Sequence, residues 1–314
     1  MNNSNPLKRF FFKLFLLFII IFLIDFSIGK TLAYFYFKQD SGQLFRTTYA
    51  LEKTTEDILI FGSSRANHHY HPTVIEERLH LSYYNVGRDG NYLFYHYAIL
   101  QGILKRYSPK LIVLDFMEED FKASQDSYDR ISSLLPYYKT HPEIQSTVLL
   151  KSPFERLKLI SSIYPYNSSL FTIAVGNMEF NKGRNVEVKG YVPLTKKWNR
   201  SLQPISEVLP YELDSIKIKT FEAFLQDCNK SKVKVIVVAS PYFKNSKQAD
   251  YSIQKAIKIA EENNVMFFDY SRDPYFINHP GLFADIAHLN DDGAKIFTNK
   301  LLEDLQILEA SKEP

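Results

Sequence analysis

The chain has 314 residues, 45% of them hydrophobic and 15% aromatic, with 38 basic and 35 acidic side chains and a formal charge of +3. Such a composition can bury a sizeable core and argues against long disorder. The charge excess lies wholly in residues 1–30, where Lys8, Arg9, Lys13 and Lys30 face Asp25; the rest balances at 34 basic and 34 acidic residues. No basic face is left for a nucleic-acid partner.

The most hydrophobic stretch is 10–28, FFFKLFLLFIIIFLIDFSI. Nineteen residues just suffice to cross a hydrocarbon core, and Lys13 and Asp25 lie near its ends, where long or polar side chains reach the interface. The uninterrupted run from Leu14 to Ile24 has signal-peptide length, but no small-x-small cleavage site follows cleanly. An uncleaved signal anchor is expected, making the lipid bilayer a partner through 10–28. Lys8, Arg9 and Lys13 keep residues 1–9 cytoplasmic by the positive-inside rule. The domain is then extracytoplasmic, beyond a juxtamembrane segment at 29–54.

From residue 57 onward, short β-rich runs alternate with helical stretches. DILIFG (57–62), YYNVG (83–87), KLIVLDF (110–116), VKVIVVAS (233–240) and VMFFDY (265–270) read as strands; several are continuous apolar runs, as parallel sheets require. Helices are expected at about 72–81, 93–106 and 291–308. The βα repetition over 55–308 predicts an α/β fold, a flavodoxin-like three-layer sandwich with about five parallel strands. Residues 121–215 break the repeat and read as a mainly helical insertion. The single cysteine, Cys228, permits no intramolecular disulfide and reads as a small buried residue near a helix end.

In an open parallel sheet, ligands gather at the carboxyl ends of the strands. The first strand ends in Gly62-Ser63-Ser64-Arg65, and a serine at such a turn exposes its hydroxyl beside backbone N–H groups. The second ends in Asn85-Val86-Gly87-Arg88-Asp89-Gly90-Asn91, whose glycines allow close approach to a ligand. Just before the last helix stands Asp285-Ile286-Ala287-His288-Leu289-Asn290. There an aspartate three residues ahead can hold one ring nitrogen of His288 while the other addresses a serine. Each feature alone is equally a plain turn; their order at successive strand ends carries the reading.

With these motifs the sequence resembles the SGNH/GDSL hydrolase superfamily, over about 55–120 and 230–308. Gly62-Ser63-Ser64 falls where the family reads G-D-S, making Ser64 the nucleophile. Asp285 and His288, with Leu289, Asn290 and Gly293, match its last block. The resemblance implies Ser64, Asp285 and His288 as catalytic residues, with the amides of Ser64 and Gly90 as the oxyanion hole and no cofactor. The family's third oxyanion donor, an asparagine after strand three, is replaced by Glu119, and a carboxylate does not donate unless protonated. The Asn91 side chain is one substitute. Arg65, Asn91 and Glu119 are the candidate substrate contacts.

The anchor and the Gly-Ser-Ser block are similar to the envelope branch of that superfamily, which includes teichoic-acid D-alanyl-transfer and polysaccharide O-acetylation proteins. An esterase or O-acyltransferase acting on glycan or acyl-ester substrates is implied, with a membrane-bound acyltransferase as partner. A catalytically inactive scaffold is the alternative, on account of Glu119. Asn67-His68-His69-Tyr70-His71 invites a metal reading, but adjacent histidines do not converge as i, i+4 pairs do. No metal is expected. Trp198 with Tyr191, Lys196 and Lys197 reads either as a sugar-stacking platform or as ordinary packing.

Overall fold

The computed structural model describes residues 6–178, 187–201, 207–244, 246 and 248–310, with side chains to Ile307. The parts of the expected insertion at 179–186 and 202–206, and Met1–Asn5 of the expected cytoplasmic tail, lie outside the described residues. Five parallel strands form one sheet: β1 (Ile58–Phe61), β2 (Tyr83–Asn85), β3 (Leu111–Asp115), β4 (Lys234–Ala239) and β5 (Met266–Asp269), in the order β2-β1-β3-β4-β5. This is the flavodoxin-like order, with its switch point between β1 and β3. Each strand lies inside the run expected for it, and only the ends are shorter.

The strands read as continuous apolar runs because both faces are covered. Leu59, Phe61, Ile112, Leu114, Val235 and Val237 point into one core cluster, whereas Ile58, Ile60, Leu111, Val113, Ile236 and Val238 point into the other. The helices in chain order begin with α1 (Pro6–Phe37), α2 (Gly42–Glu52), α3 (Ser64–His69), α4 (Pro72–Leu79) and α5 (Leu93–Leu104). Four short helices follow in the insertion: α6 (Gln125–Asp129), α7 (Gln145–Leu149), α8 (Glu155–Lys158) and α9 (Leu170–Gly176). The chain closes with α10 (Ser215–Lys230), α11 (Tyr251–Glu262), α12 (Pro274–Ile277) and α13 (Asp291–Ala310). The first cluster takes residues of α2, α5, α10 and α11; the second takes Ala66 of α3, Ile75 of α4, and Phe297 and Leu301 of α13. Among its described residues the regular elements of the insertion are helical, with 3-10 turns such as Arg130–Tyr137 between the helices.

One feature was not readable from the pattern. Residues 42–52, inside the expected juxtamembrane segment, are a helix of the domain itself: Leu44, Ala50 and Leu51 are buried in the core, and a Cβ on Gly102 of α5 would stand 2.6 Å from Leu51 Cδ2. Arg46 reaches across to the Gly190 carbonyl (3.1 Å). The apolar stretch expected at 10–28 lies inside α1, a single helix of 32 residues, about 48 Å at the usual rise. It is long and apolar enough to cross a membrane. Its far end leaves the apolar stretch and joins the domain, where Tyr36 is buried with its ring 5.9 Å from Tyr137 and 5.6 Å from Tyr166. Cys228 is buried on α10, and burial pushes its thiol up.

Candidate active site

β1 runs out at Phe61, and the chain must then turn sharply to start α3 at Ser64. Gly62 makes that turn at φ +142°, and a Cβ there would stand 2.8 Å from both Ala66 Cβ and Asp115 Cβ, so only glycine fits. Ser64 is the first residue of α3, whose opening amides have no intrahelical acceptor. Its Oγ lies 2.7 Å from His288 Nε2.

His288 comes from the loop ahead of α13, 224 residues away in sequence. Its Nδ1 is 2.9 Å and 3.0 Å from the two carboxylate oxygens of Asp285. Asp285 Oδ1 also accepts from the amides of Ala287 (2.8 Å) and His288 (3.0 Å). Burial works to raise this carboxyl, but the hydrogen bonds from His288 and the two amides outweigh it and hold it below its ordinary 3.8. Asp285 is therefore ionised at any ordinary pH. With Nδ1–H donated to it, Nε2 is the acceptor that faces the Ser64 hydroxyl.

A cavity of about 340 Å³ opens in front of Ser64 and His288. Met117, Glu118 and Glu119, after β3, line one side, and Tyr242 and Lys244, after β4, line another. Lys244 Nζ pairs with Glu118 Oε2 at 2.9 Å. Burial works to lower the ammonium, yet Glu118 prevails and its pKa is raised, so it stays charged. Neither Lys244 nor Tyr242 was singled out in sequence, since nothing in Tyr-Phe-Lys marks a cavity wall.

The three candidate substrate contacts fare differently. Arg65 borders the cavity, but it is buried and its guanidinium is committed inward. Nε is 3.5 Å from Asp115 Oδ1, Nη2 donates to the Phe116 carbonyl (3.0 Å) and Nη1 to the Ser240 carbonyl (3.3 Å). This gives the otherwise unexplained acid at the end of β3 its partner, and Tyr70 donates to its other oxygen at 2.6 Å. Asn91 is a correction: its Nδ2 donates to the Asp89 carbonyl (3.2 Å) and its Oδ1 accepts from Ser133 (2.9 Å). It does not line the cavity, so its amide is not a spare oxyanion donor. Glu119 does line the cavity, at φ +62°, with its carboxylate 3.0 Å from Lys122 Nζ and its amide donating to Asp250. Gly90 adopts φ +65° in the 88–91 turn and is not among the residues lining the cavity.

His69, treated in sequence only as part of a histidine cluster, braces the site from behind. Its Nε2 accepts from the amide of Leu289 (3.0 Å), so Nδ1 carries the proton and donates to Ser240 Oγ (2.9 Å). Burial pushes it well below the ordinary histidine value, and it stays neutral. His68 packs edge-on against the His288 ring, centroids 5.2 Å apart, and its Nδ1 meets the Val192 carbonyl at 2.6 Å. His71 turns toward Asp291, 3.7 Å away. Three successive histidines thus serve three different neighbours. Trp198 packs against the second core cluster, with Arg200 5.2 Å from its ring.

Asp120, next to Glu119, is buried and accepts from the Met117 amide at 2.7 Å. Burial raises its pKa to about 7. A carboxyl raised in the folded state favours folding fully below its unfolded value near 3.8, and that advantage is lost as pH rises through about 7. Asp120→Asn keeps the acceptor for Met117 and removes the titration. Thermal melts between pH 4 and pH 8 are expected to show the variant gaining on the wild type as pH rises; a constant difference would exclude this.

No protein-family model matches the sequence, and a search of curated proteins gave no match. Among solved structures the chain is similar to the acetyl xylan esterase AlAXEase, at 15% identity, over 79% of this chain and 98% of that one, with a TM-score of 0.39. It is also similar to a Bacteroides fragilis protein provisionally described as an acylhydrolase, at 12% identity, over 83% and 94%, with a TM-score of 0.39.

Proposed function

We propose that this chain is a membrane-anchored serine esterase or O-acyltransferase of the SGNH/GDSL type, acting on cell-envelope glycans through a seryl-ester intermediate. A single observation carries the reading: Ser64 Oγ, His288 and Asp285 form one hydrogen-bonded chain at the carboxyl end of the sheet. In the proposed reaction Ser64 Oγ attacks the ester carbonyl as His288 Nε2 takes its proton. Asp285 stabilises the imidazolium, and the amide of Ser64, at the start of α3, receives the developing oxyanion. Collapse breaks the C–O bond to the leaving alcohol, which takes the proton from His288. Water, or a glycan hydroxyl, then repeats the sequence on the acyl-serine.

The glycan class follows from placement. With α1 as anchor and Lys8, Arg9 and Lys13 on the cytoplasmic side, the domain lies outside the membrane, beside envelope polysaccharides and a membrane-bound acyl donor. The inactive-scaffold alternative drew on Glu119, but that carboxylate is paired with Lys122 and leaves the Ser64–His288 contact intact. A fluorophosphonate probe tests the reading. The wild type should be labelled and Ser64→Ala should not; an unlabelled wild type, folded by circular dichroism, sinks the enzyme reading.

A further inference from the structure

The insertion carries a segment whose polarity is inverted. Glu155 is fully buried, where it holds Lys158 Nζ at 2.9 Å and the Tyr164 hydroxyl at 2.8 Å. Beside it in sequence Phe154, Leu157 and Ile160 are 63%, 67% and 70% exposed, and Phe171, on α9, which packs against α1, is 80% exposed. A surface turned to water shows the reverse, with the charge outside and the large apolar side chains within. Clustered exposure of this kind marks a contact with something apolar.

The place of this segment identifies that partner. Directly after Ile160, Ser161 Oγ and the Ser162 amide donate to the Asp25 carboxylate of α1 at 2.5 and 2.6 Å, and the Ile163 amide does so at 3.4 Å. Gly29 lies so close that a Cβ would stand 2.4 Å from Ser162 Cβ. Phe10 to Ile24 is fifteen residues, roughly 22 Å of helix, whereas a hydrocarbon core is roughly 30 Å thick. A membrane crossed by α1 therefore extends past Asp25 to about Gly29, the level of Ser161–Ile163. A carboxylate at that depth is costly unless it is covered, and this loop covers it. Exposed Arg156 and half-buried Lys158 stand beside the apolar side chains, as cations do at a headgroup boundary.

We propose that Phe154, Leu157, Ile160 and Phe171 dip into the leaflet nearest the domain, giving the protein a second lipid contact beside α1. This rests on α1 crossing the membrane, and it would hold the domain against the bilayer instead of leaving it on a tether. Single-cysteine labelling tests it on the full chain in phosphatidylethanolamine–phosphatidylglycerol vesicles. Native Cys228 is buried and does not compete. A bimane label at Ile160→Cys and at Phe171→Cys is expected to shift to the blue and to be quenched by lipids brominated in their acyl chains. The same label at Leu209→Cys, on an equally exposed apolar residue far along the chain, should not respond. Phe18→Cys, within α1, reports the anchor by itself. Quenching at Phe18→Cys without quenching at Ile160→Cys and Phe171→Cys overturns the proposal and leaves the anchor standing; labels shielded by a protein partner but indifferent to brominated lipid do the same. No quenching at Phe18→Cys removes both.

Discussion

His288→Ala is expected to lower the rate of ester cleavage by roughly 10⁶-fold, and Asp285→Asn by roughly 10⁴-fold. The difference follows from what each residue does in the proposed reaction. Without His288 no group accepts the Ser64 proton, since His68 and His69 are turned to Val192 and to Ser240 and Leu289. Asp285→Asn leaves the loop's shape but presents an amide where three N–H groups converge on carboxylate oxygen. The ring then loses its reason to keep the proton on Nδ1, and Nε2 no longer accepts from Ser64. Initial rates on p-nitrophenyl acetate across the wild type and the two variants check this. Equal rates in all three would mean that turnover does not run through this site.

The pH dependence has a definite sign. Asp285 is depressed in the folded protein, so its contribution to stability is fully present above its unfolded value near 3.8 and is lost as pH falls through the lower native value. Activity lost on acidification above about pH 4 is therefore not protonation of Asp285.

Arg65→Met is expected to cost about 3–5 kcal/mol of stability, because it leaves Asp115 buried without its counter-ion and two carbonyls without their donor. The guanidinium joins the β1 turn to the ends of β3 and β4, the three strands that place Ser64 and the cavity walls. Asp115 is already raised by burial, with Arg65 the leading opposing influence, so removing Arg65 drives the acid toward its neutral form. Pairing the change with Asp115→Leu should restore part of the loss, since the buried charge then disappears along with its partner. Urea unfolding of the single and double variants measures the coupling. If Arg65 were chiefly a substrate contact, Arg65→Met would instead raise KM and leave unfolding unchanged.

The fold was readable because both sheet faces are buried. That makes Ile58–Phe61 and Leu111–Leu114 unbroken apolar runs. The insertion was readable as a mainly helical interruption but not helix by helix, since its short helices are held by contacts such as Tyr164 to Glu155, with no long periodic face to show them. Residues 42–52 read as a tether because a helix with few apolar positions shows its buried side only when α5 is in place against it.

Of the elements with which the chain begins and ends its chemistry, the sequence by itself determined the apolar helix, the parallel sheet, the Gly62-Ser63-Ser64 motif at a strand end and the Asp285–His288 pair ahead of the last helix. These depend on local composition and on short spacings within one turn or one strand. Only the tertiary structure decided that Ser64 and His288 meet at 2.7 Å across 224 residues, and that Arg65 turns inward while Asn91 bonds Asp89 and Ser133. It also decided that Asp25 is closed over by Ser161–Ile163. Each of these is a choice of partner for a polar group. A buried donor or acceptor must be satisfied by whatever the folded chain brings to it, and the sequence does not display that neighbour.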